Sequence, residues 1–469
     1  MDVAAQIQSL IFKMQHLEQK VALLTKEVGI LKMENTALRK ENTTLQSEVS
    51  RYKNKKNSGN SHLPPSKDEN RPAKNQSLRH KSGNKPGGQA GHEGNTLAYT
   101  ATPDEVIRHL PAYCRRCGHD LRLIPEALTE SRRVIDLPVI RPVCTEHRTY
   151  RKVCPCGHCT ESDFPAGVTA PLQYGACIQA LTGYMHARQM MPYKRMQEFF
   201  THVLNLPLST GSIYNMLQKI TQKATPLYQQ IKERISRATT IGADETGAKV
   251  NGKKSWMWTW QNEELTFIAH SDNRAQSTIE KLFPNGFPNA VLQHDRYAAH
   301  FNCKAAAHQI CTAHLLRDLQ YTQELYPECD WSNKMKNLIL QAIELKRNLT
   351  KAEYYTRLSE RTNIQLRLNE LLEQDIGSEY KKAVTLQKSL RKHSNALLTF
   401  LYHPKVPPDN NGSERAIRNI KVKQKVSGQF KSDSGANAFA VLRSILDTAI
   451  KNGKDALTAL SLIANLEAE

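Results

Sequence analysis

The chain has 469 residues, with 65 Lys and Arg against 45 Asp and Glu and a formal net charge of +20. At about 150 residues per domain, that length accommodates roughly three or four domains, and the cationic excess points to a polyanionic partner, nucleic acid before an acidic membrane surface. No run of about 18 apolar residues is present to span a bilayer, and MDVAAQIQSLIFKM lacks the charged stretch, apolar core and cleavage site of a signal peptide, so a cytoplasmic protein with no membrane partner is expected.

Residues 1–52 carry a heptad repeat. Leu10, Leu17, Leu24, Leu31, Leu38 and Leu45 recur every seventh residue, and Ile7, Met14, Val21, Val28, Asn35, Asn42 and Val49 form the row three residues earlier. Leucines at d and mostly apolar residues at a describe a coiled coil, in which β-branched a residues favour two parallel strands and a buried Asn holds register at a cost in stability. Lys13 with Glu18, Glu27 with Lys32 and Glu34 with Arg39 match the g-to-e pairing of a parallel dimer. A homodimer or higher assembly through this leucine zipper is expected. The alternative, a lone amphipathic helix packed on the core, is disfavoured by six unbroken leucines.

From Arg51 to Asn95 the periodicity is lost. Gly, Pro, Asn and Lys dominate, and ten Lys and Arg stand against three acidic residues. The stretch 53–95 reads as a basic, flexible linker that adds loose phosphate contacts.

A small zinc-binding domain is expected over 96–165. Six of the ten cysteines, Cys114, Cys117, Cys144, Cys154, Cys156 and Cys159, fall within 46 residues, and such clustering in a reducing compartment points to metal, not disulfides. Cys114-Arg-Arg-Cys117-Gly has the form of a zinc knuckle. The second half-site, Cys154-Pro-Cys156-Gly-His-Cys159, supplies either Cys154 with Cys156 or Cys156 with Cys159; Gly157 after Cys156 mirrors Gly118 after Cys117 and favours the first pair, with Cys159 as the alternative fourth ligand. Four thiolates leave no open position, so the Zn²⁺ is structural. RRVIDLPVI and HRTYRKVC between the half-sites read as strands.

Residues 166–236 read as two helices with a short Pro-containing join, the second capped by Ser209 or Thr210. Basic and Tyr-bearing, they suit either a DNA-binding unit or a helical spacer. From Ala238 the texture turns to strands: ATTIGADETGAKV, a turn at NGKK, SWMWTW and ELTFIAH, then a helix and the strand NAVLQHDRYAAH. Three antiparallel strands, a helix and a parallel strand open a ribonuclease-H-like sheet. Asp244 lies within the first strand and Asp295 at the end of the later one, and an acid within a strand is costly unless paired or metal-bound.

DNNGSERAIR, at 409–418, follows Pro407-Pro408 and starts a helix. Asn411 is a candidate N-cap, and Asn411-Gly-Ser-Glu414 has the spacing of a capping box. Arg418 and Lys421 share the helical face of Glu414. Cys311 and His314, three apart on a probable helix, share a face. With Cys303 nearby they offer a second zinc site, but with no fourth ligand apparent a buried thiol and a hydrogen-bonded His are preferred.

Taken together, DET at 244–246, HDRYAAH at 294–300, CTAHLLRDL at 311–319 and VPPDNNGSERAIRNIKVK at 406–423 resemble the insertion-sequence 66 family of bacterial transposases. The zinc region, FPAGVTAPLQYG at 164–175 and the leucine zipper follow the same order, so the resemblance covers essentially the whole chain. In the middle motif the family usually has Trp and Arg where this chain has Thr312 and Leu316.

The resemblance implies a multidomain α+β protein: coiled coil, zinc-binding domain, helical region, and a ribonuclease-H-like α/β catalytic domain over 237–430 with a helical insertion at about 301–400, then a helical segment over 431–469. It implies a DDE transposase, associated with the nucleoid, whose triad Asp244, Asp295 and Glu414 holds two Mg²⁺ (or Mn²⁺) ions for phosphodiester cleavage and strand transfer. Arg415, Arg418 and Lys421 would bind DNA, both element terminal repeats and target. Family members usually work with two small accessory proteins of the same element. A non-catalytic, zinc-containing dimeric regulator and a ribonuclease-H-superfamily nuclease are the competing readings; the triad argues against the first, and the resemblance separates the second.

Overall fold

The computed structural model describes residues 3–53, 56–57, 60–61, 102–350, 353–356 and 358–466. Most of the expected linker lies outside the described residues. Helix α1 (Val3–Lys53) is unbroken, about 76 Å long at 1.5 Å per residue. Its d-position leucines are 53–62% exposed, so none of the described residues covers that row.

Residues 102–175 are mostly irregular. A small antiparallel hairpin, β1 (Arg151–Val153) and β2 (Cys159–Glu161), sets Val153 opposite Cys159. The strand expected at RRVIDLPVI is not formed: Val134, Leu137 and Val139 are 92%, 81% and 72% exposed, and among the described residues no partner strand or core face receives the alternating residues.

Three helices follow where two were expected: α2 (Ala176–Ala187), α3 (Tyr193–Val203) and α4 (Thr210–Ser236). The break falls at Met190, with φ +60°, and Pro192, which cannot continue a helix and occupies the N-cap position of α3. Ser209 caps α4 by accepting the Ser212 N–H at 2.9 Å.

The sheet has five strands: β3 (Thr240–Val250), β4 (Lys253–Gln261), β5 (Thr266–Ser271), β6 (Phe287–His294) and β7 (Ala305–Ile310), in the order β5-β4-β3-β6-β7. The first three are antiparallel, turning at Asn251-Gly252, both at positive φ. β6 and β7 run parallel to β3, so each needs a crossover, supplied by the short helices α5 (Gln276–Leu282) and α6 (Ala298–Phe301). This mixed α+β sheet is consistent with a ribonuclease-H-like domain.

A helical block then intervenes: α7 (Thr312–Leu325), α8 (Asp330–Asn348), α9 (Glu353–Thr356), α10 (Leu358–Glu373), α11 (Lys381–Lys392) and two 3₁₀ turns. The chain returns to the sheet through α12 (Asn411–Ser427), α13 (Asp433–Lys451) and α14 (Ala456–Ala464). The buried apolar residues form two clusters. In one, Trp258, Trp260 and Phe267 pack with Ile213, Leu217 and Ile220 of α4, Phe439 of α13 and Leu460 of α14. In the other, Val291 and Ile310 meet Leu315, Trp331, Met335 and Leu368 of the helical block. Edge strand β5 is covered: Ser444 Oγ and Thr448 Oγ1 of α13 accept the N–H groups of Ile268 (2.8 Å) and Thr266 (3.0 Å), satisfying donors that an open edge would expose. The segment after α1 touches the helical block, with Lys56 Nζ 5.2 Å from the Tyr321 ring centroid and Asn60 Nδ2 donating to Glu324 at 2.7 Å.

Candidate active site

Parallel register decides where the first two acids meet. Gly242 of β3 pairs with Gln293 of β6. Asp244 lies two residues further along β3 and Asp295 two residues on, just past the end of β6, so the alternation of side chains, continued by one residue, brings both to the same face. Asp244 is half-buried, and its carboxyl is held well above the usual range by loss of solvent, then by the charges of Asp295 and Glu245 and, less strongly, Glu414. The Glu245 N–H orients it, donating to Asp244 Oδ1 at 2.8 Å. Asp295 accepts the Tyr297 N–H at 3.1 Å. Between them Arg296 adopts φ +78°, a left-handed conformation unusual for a residue with a side chain, and its guanidinium is tied to Asp318.

Glu414 reaches the site from the first turn of α12. The expected capping box does not form. Asn411 is already helical, and Asn410 occupies the N-cap position with no side-chain cap bond. The Asn410 side chain is used elsewhere: Nδ2 donates to the Ala243 carbonyl at 2.8 Å, and Oδ1 accepts from Ser413 Oγ at 2.7 Å. Asp409 takes the Asn411 N–H instead, at 3.0 Å. Docking on β3 thus sets the helix start, and Glu414 is not drawn back: its Oε1 is buried, accepts no hydrogen bond and stands 3.6 Å from His314 Nε2. Gly242 permits this approach, since a Cβ there would sit 2.5 Å from Asn410 Oδ1, 2.6 Å from Gln261 Nε2 and 2.7 Å from Ser413 Oγ.

Sequence reasoning missed Glu245. It points to the opposite face of β3, where its fully buried carboxylate pairs with Arg274 and lies 2.9 Å from His300 Nε2. Arg274 covers the Tyr297 ring at 3.9 Å, and the Tyr297 hydroxyl donates back to the Arg274 carbonyl. This network braces the turn that carries Asp295. The available signal was a second acid inside the strand, next to the first.

Arg415, Arg418 and Lys421 are all exposed on α12. Lys421 also donates to the Gly247 carbonyl at 2.9 Å, so it fastens the helix to β3. Facing inward, Lys423 donates to the Met191 carbonyl at 3.1 Å, and burial pulls its ammonium down to about 7.

Cys311 and His314 stand at the start of α7. The donor atom that joins them is a Glu414 oxygen, not Cys303: the three donors lie within 4.8 Å of one another. Burial pushes the Cys311 thiol up to about 11.

The two cysteine half-sites have matching turns. Gly118 N donates to the Cys114 carbonyl at 3.0 Å and Gly157 N to the Cys154 carbonyl at 2.8 Å, with φ +74° and +87° at the two glycines. The Cys114 thiol is lowered by the backbone N–H groups of Arg116 and Cys117 and by the Cys117 side chain. The Cys156 thiol is lowered by the His158 N–H and the Cys154 side chain. Cys114 therefore sits with Cys117 and Cys156 with Cys154, while Cys159 lies in β2. Among the described residues the two pairs are not gathered into one four-thiol cluster.

Comparison with known proteins places this geometry in context. A family model described as "Transposase IS66 family" matches residues 171–438, a span that holds Asp244, Asp295 and Glu414 but neither α1 nor the cysteine pairs. The chain is 27% identical over 266 residues to the uncharacterized protein y4qI of Sinorhizobium fredii (strain NBRC 101917 / NGR234), covering 50% of this chain and 49% of that protein. It is 21% identical over 396 residues to the uncharacterized protein y4jD of the same organism, covering 74% and 75%. The match thus spans about half the length of the first relative.

Proposed function

The chain belongs to the transposase IS66 family, and on that premise we propose that it cleaves the ends of an insertion element and joins them to target DNA. The observation that carries the reading is the meeting of Asp244 with Asp295 and Glu414, strong enough for both charges to oppose ionisation of the first. Carboxylates crowded in this way, one with a buried oxygen that accepts no hydrogen bond, suit hard divalent cations, so Asp244, Asp295 and Glu414 would hold Mg²⁺ or Mn²⁺. Two such ions would lower the barrier at a phosphodiester by activating the attacking oxygen and stabilising the leaving one.

The protein's own contribution is placement. Asp244 is fixed by the central strand, Asp295 by the braced turn at Tyr297, and Glu414 by the docking of α12 on β3. Arg415 and Arg418, exposed beside Glu414, would engage DNA phosphates of the terminal repeats and the target, with Lys421 contributing from the same face.

Two further assignments belong to this reading. The exposed leucine row of α1 supports a parallel coiled coil with a second copy. Cys114, Cys117, Cys154 and Cys156 would hold one structural Zn²⁺, supported by the paired thiols and the backbone N–H groups aimed at them. Accessory proteins of the same element are part of the proposal by family resemblance alone.

The deciding experiment is metal-dependent nicking of the element's own terminal repeats, comparing the parent protein with Asp244→Ala, and then joining of the nicked ends to a target duplex. Cleavage and joining lost in Asp244→Ala, with DNA binding kept, support the proposal. Cleavage without joining would reassign the chain as a nuclease, and DNA binding without either would make it a regulator.

A further inference from the structure

Cys311 occupies the N-cap position of α7 without making a side-chain cap bond, and His314 follows one turn on, so both side chains leave the same side of the helix start. Glu414 arrives there from α12. The Cys311 sulfur, a His314 ring nitrogen and a Glu414 carboxylate oxygen lie within 4.8 Å of one another, and His314 Nε2 stands 3.6 Å from Glu414 Oε1. At zinc bond lengths of about 2.0–2.3 Å, tetrahedral ligand atoms stand roughly 3.3–3.8 Å apart. The three donors therefore need to close by no more than about 1.5 Å to share one ion.

Two independent observations point to a cation. Glu414 Oε1 is buried and accepts no hydrogen bond, a costly state for a carboxylate oxygen. The Cys311 sulfur is also surrounded by donors: the Asn410 N–H reaches it at 3.2 Å, and the N–H groups of Ala313 and His314 point at it as well. These N–H groups favour a thiolate against the burial that raises the thiol, a balance that a bound cation would tip.

We propose that Cys311, His314 and Glu414 form a cation site distinct from the four-cysteine region, built from one sulfur, one nitrogen and one carboxylate oxygen and shared with the acidic cleft only through Glu414. This donor set selects a borderline-soft divalent ion of the zinc class over Mg²⁺. The junction is already fastened by backbone, since Thr312 N donates to the Pro408 carbonyl at 3.0 Å. The ion adds a side-chain lock between the starts of α7 and α12 and holds Glu414 by one oxygen. Three protein ligands leave a fourth position for water or a DNA oxygen. The site stands whether or not the acids perform phosphoryl transfer.

The test is zinc content by elemental analysis of full-length protein purified without chelator, with neither DNA nor Mg²⁺ present. Cys311→Ser and His314→Gln should each hold one zinc fewer per chain than the parent. Zn²⁺ added to chelator-stripped Cys117→Ser protein should raise its melting temperature, and the shift should vanish when His314→Gln is added. Should Cys311→Ser fail to fold, His314→Gln, whose ring is partly exposed, still decides. Parental zinc content in His314→Gln, or a Zn²⁺ shift unaffected by it, overturns the proposal. Absence of cleavage by the parent protein, with these zinc results obtained, would count against the transposase reading alone.

Discussion

Asp244→Asn removes one of the charges that meet at the cleft while keeping the oxygen that accepts the Glu245 N–H at 2.8 Å. Burial, then Asp295, Glu245 and Glu414, raise the folded-state value of Asp244 above its ordinary 3.8. Between that unfolded value and the raised one, the native state binds the extra proton. Stability is therefore fully present at low pH and falls as pH rises, by about 1.4 kcal/mol per pH unit for one group, until the folded value is passed. Asn does not titrate, so this slope disappears. One like-charged neighbour at about 5 Å and an effective dielectric of about 20 contributes roughly 3 kcal/mol of repulsion. Protonation of the parent site relieves part of that, which leaves an expected gain of about 1–3 kcal/mol for the variant at pH 7 without divalent ions. In thermal melts that is about 2–12 °C, at about 2–4 °C per kcal/mol for a unit of this size. The gap should close near pH 4 and narrow when millimolar Mg²⁺ stabilises the parent alone. A variant that melts at or below the parent at pH 7, with a difference independent of pH, would refute a shared repulsive acid site.

The other predictions probe the supports around that site and the two assembly elements. Gly242→Ala should cost about 1–3 kcal/mol through the clash with Asn410 and Ser413 and displace Glu414; a melt and cleavage rate equal to the parent's would show that α12 is not seated through this glycine. Cys117→Ser should lose one zinc per chain and open the unit around residues 110–160, because metal binding and folding are coupled there; unchanged zinc content argues against a knuckle. Leu24→Pro, which breaks α1 at about 3 kcal/mol or more, should turn a dimer into a monomer in sedimentation at micromolar concentration, and an intact dimer would mean that the zipper is not the interface.

Features that depend on near neighbours were legible in the sequence. The leucine row of α1, the Ser209 cap, the Asn251-Gly252 turn and the glycine after each cysteine pair are local: a few adjacent residues impose the periodicity or the φ angle. Asp244 and Asp295 were legible as acids in and after strands, and family resemblance added Glu414. Other features lay outside local reach. The break at Pro192 is a local signal that was passed over, whereas the missing strand at RRVIDLPVI is not local at all, since a strand forms only where a partner and a core face receive it.

Tertiary structure decided the chemistry of Glu414. Local spacing offered it a helix cap, but Asn410 is spent on the Ala243 carbonyl, so the capping geometry lost to the docking of α12 on β3. The same docking brought Glu414 to Cys311 and His314, residues from another helix whose spacing alone supplied two ligands and no third. Glu245 is the converse case: adjacent to Asp244 in sequence, it faces the opposite side of the strand, and only the fold reveals that its carboxylate is taken by Arg274 and His300. Local sequence sets dihedrals and periodicity, but which carboxylate is crowded, paired or left open depends on neighbours delivered by distant segments, and those are set by packing.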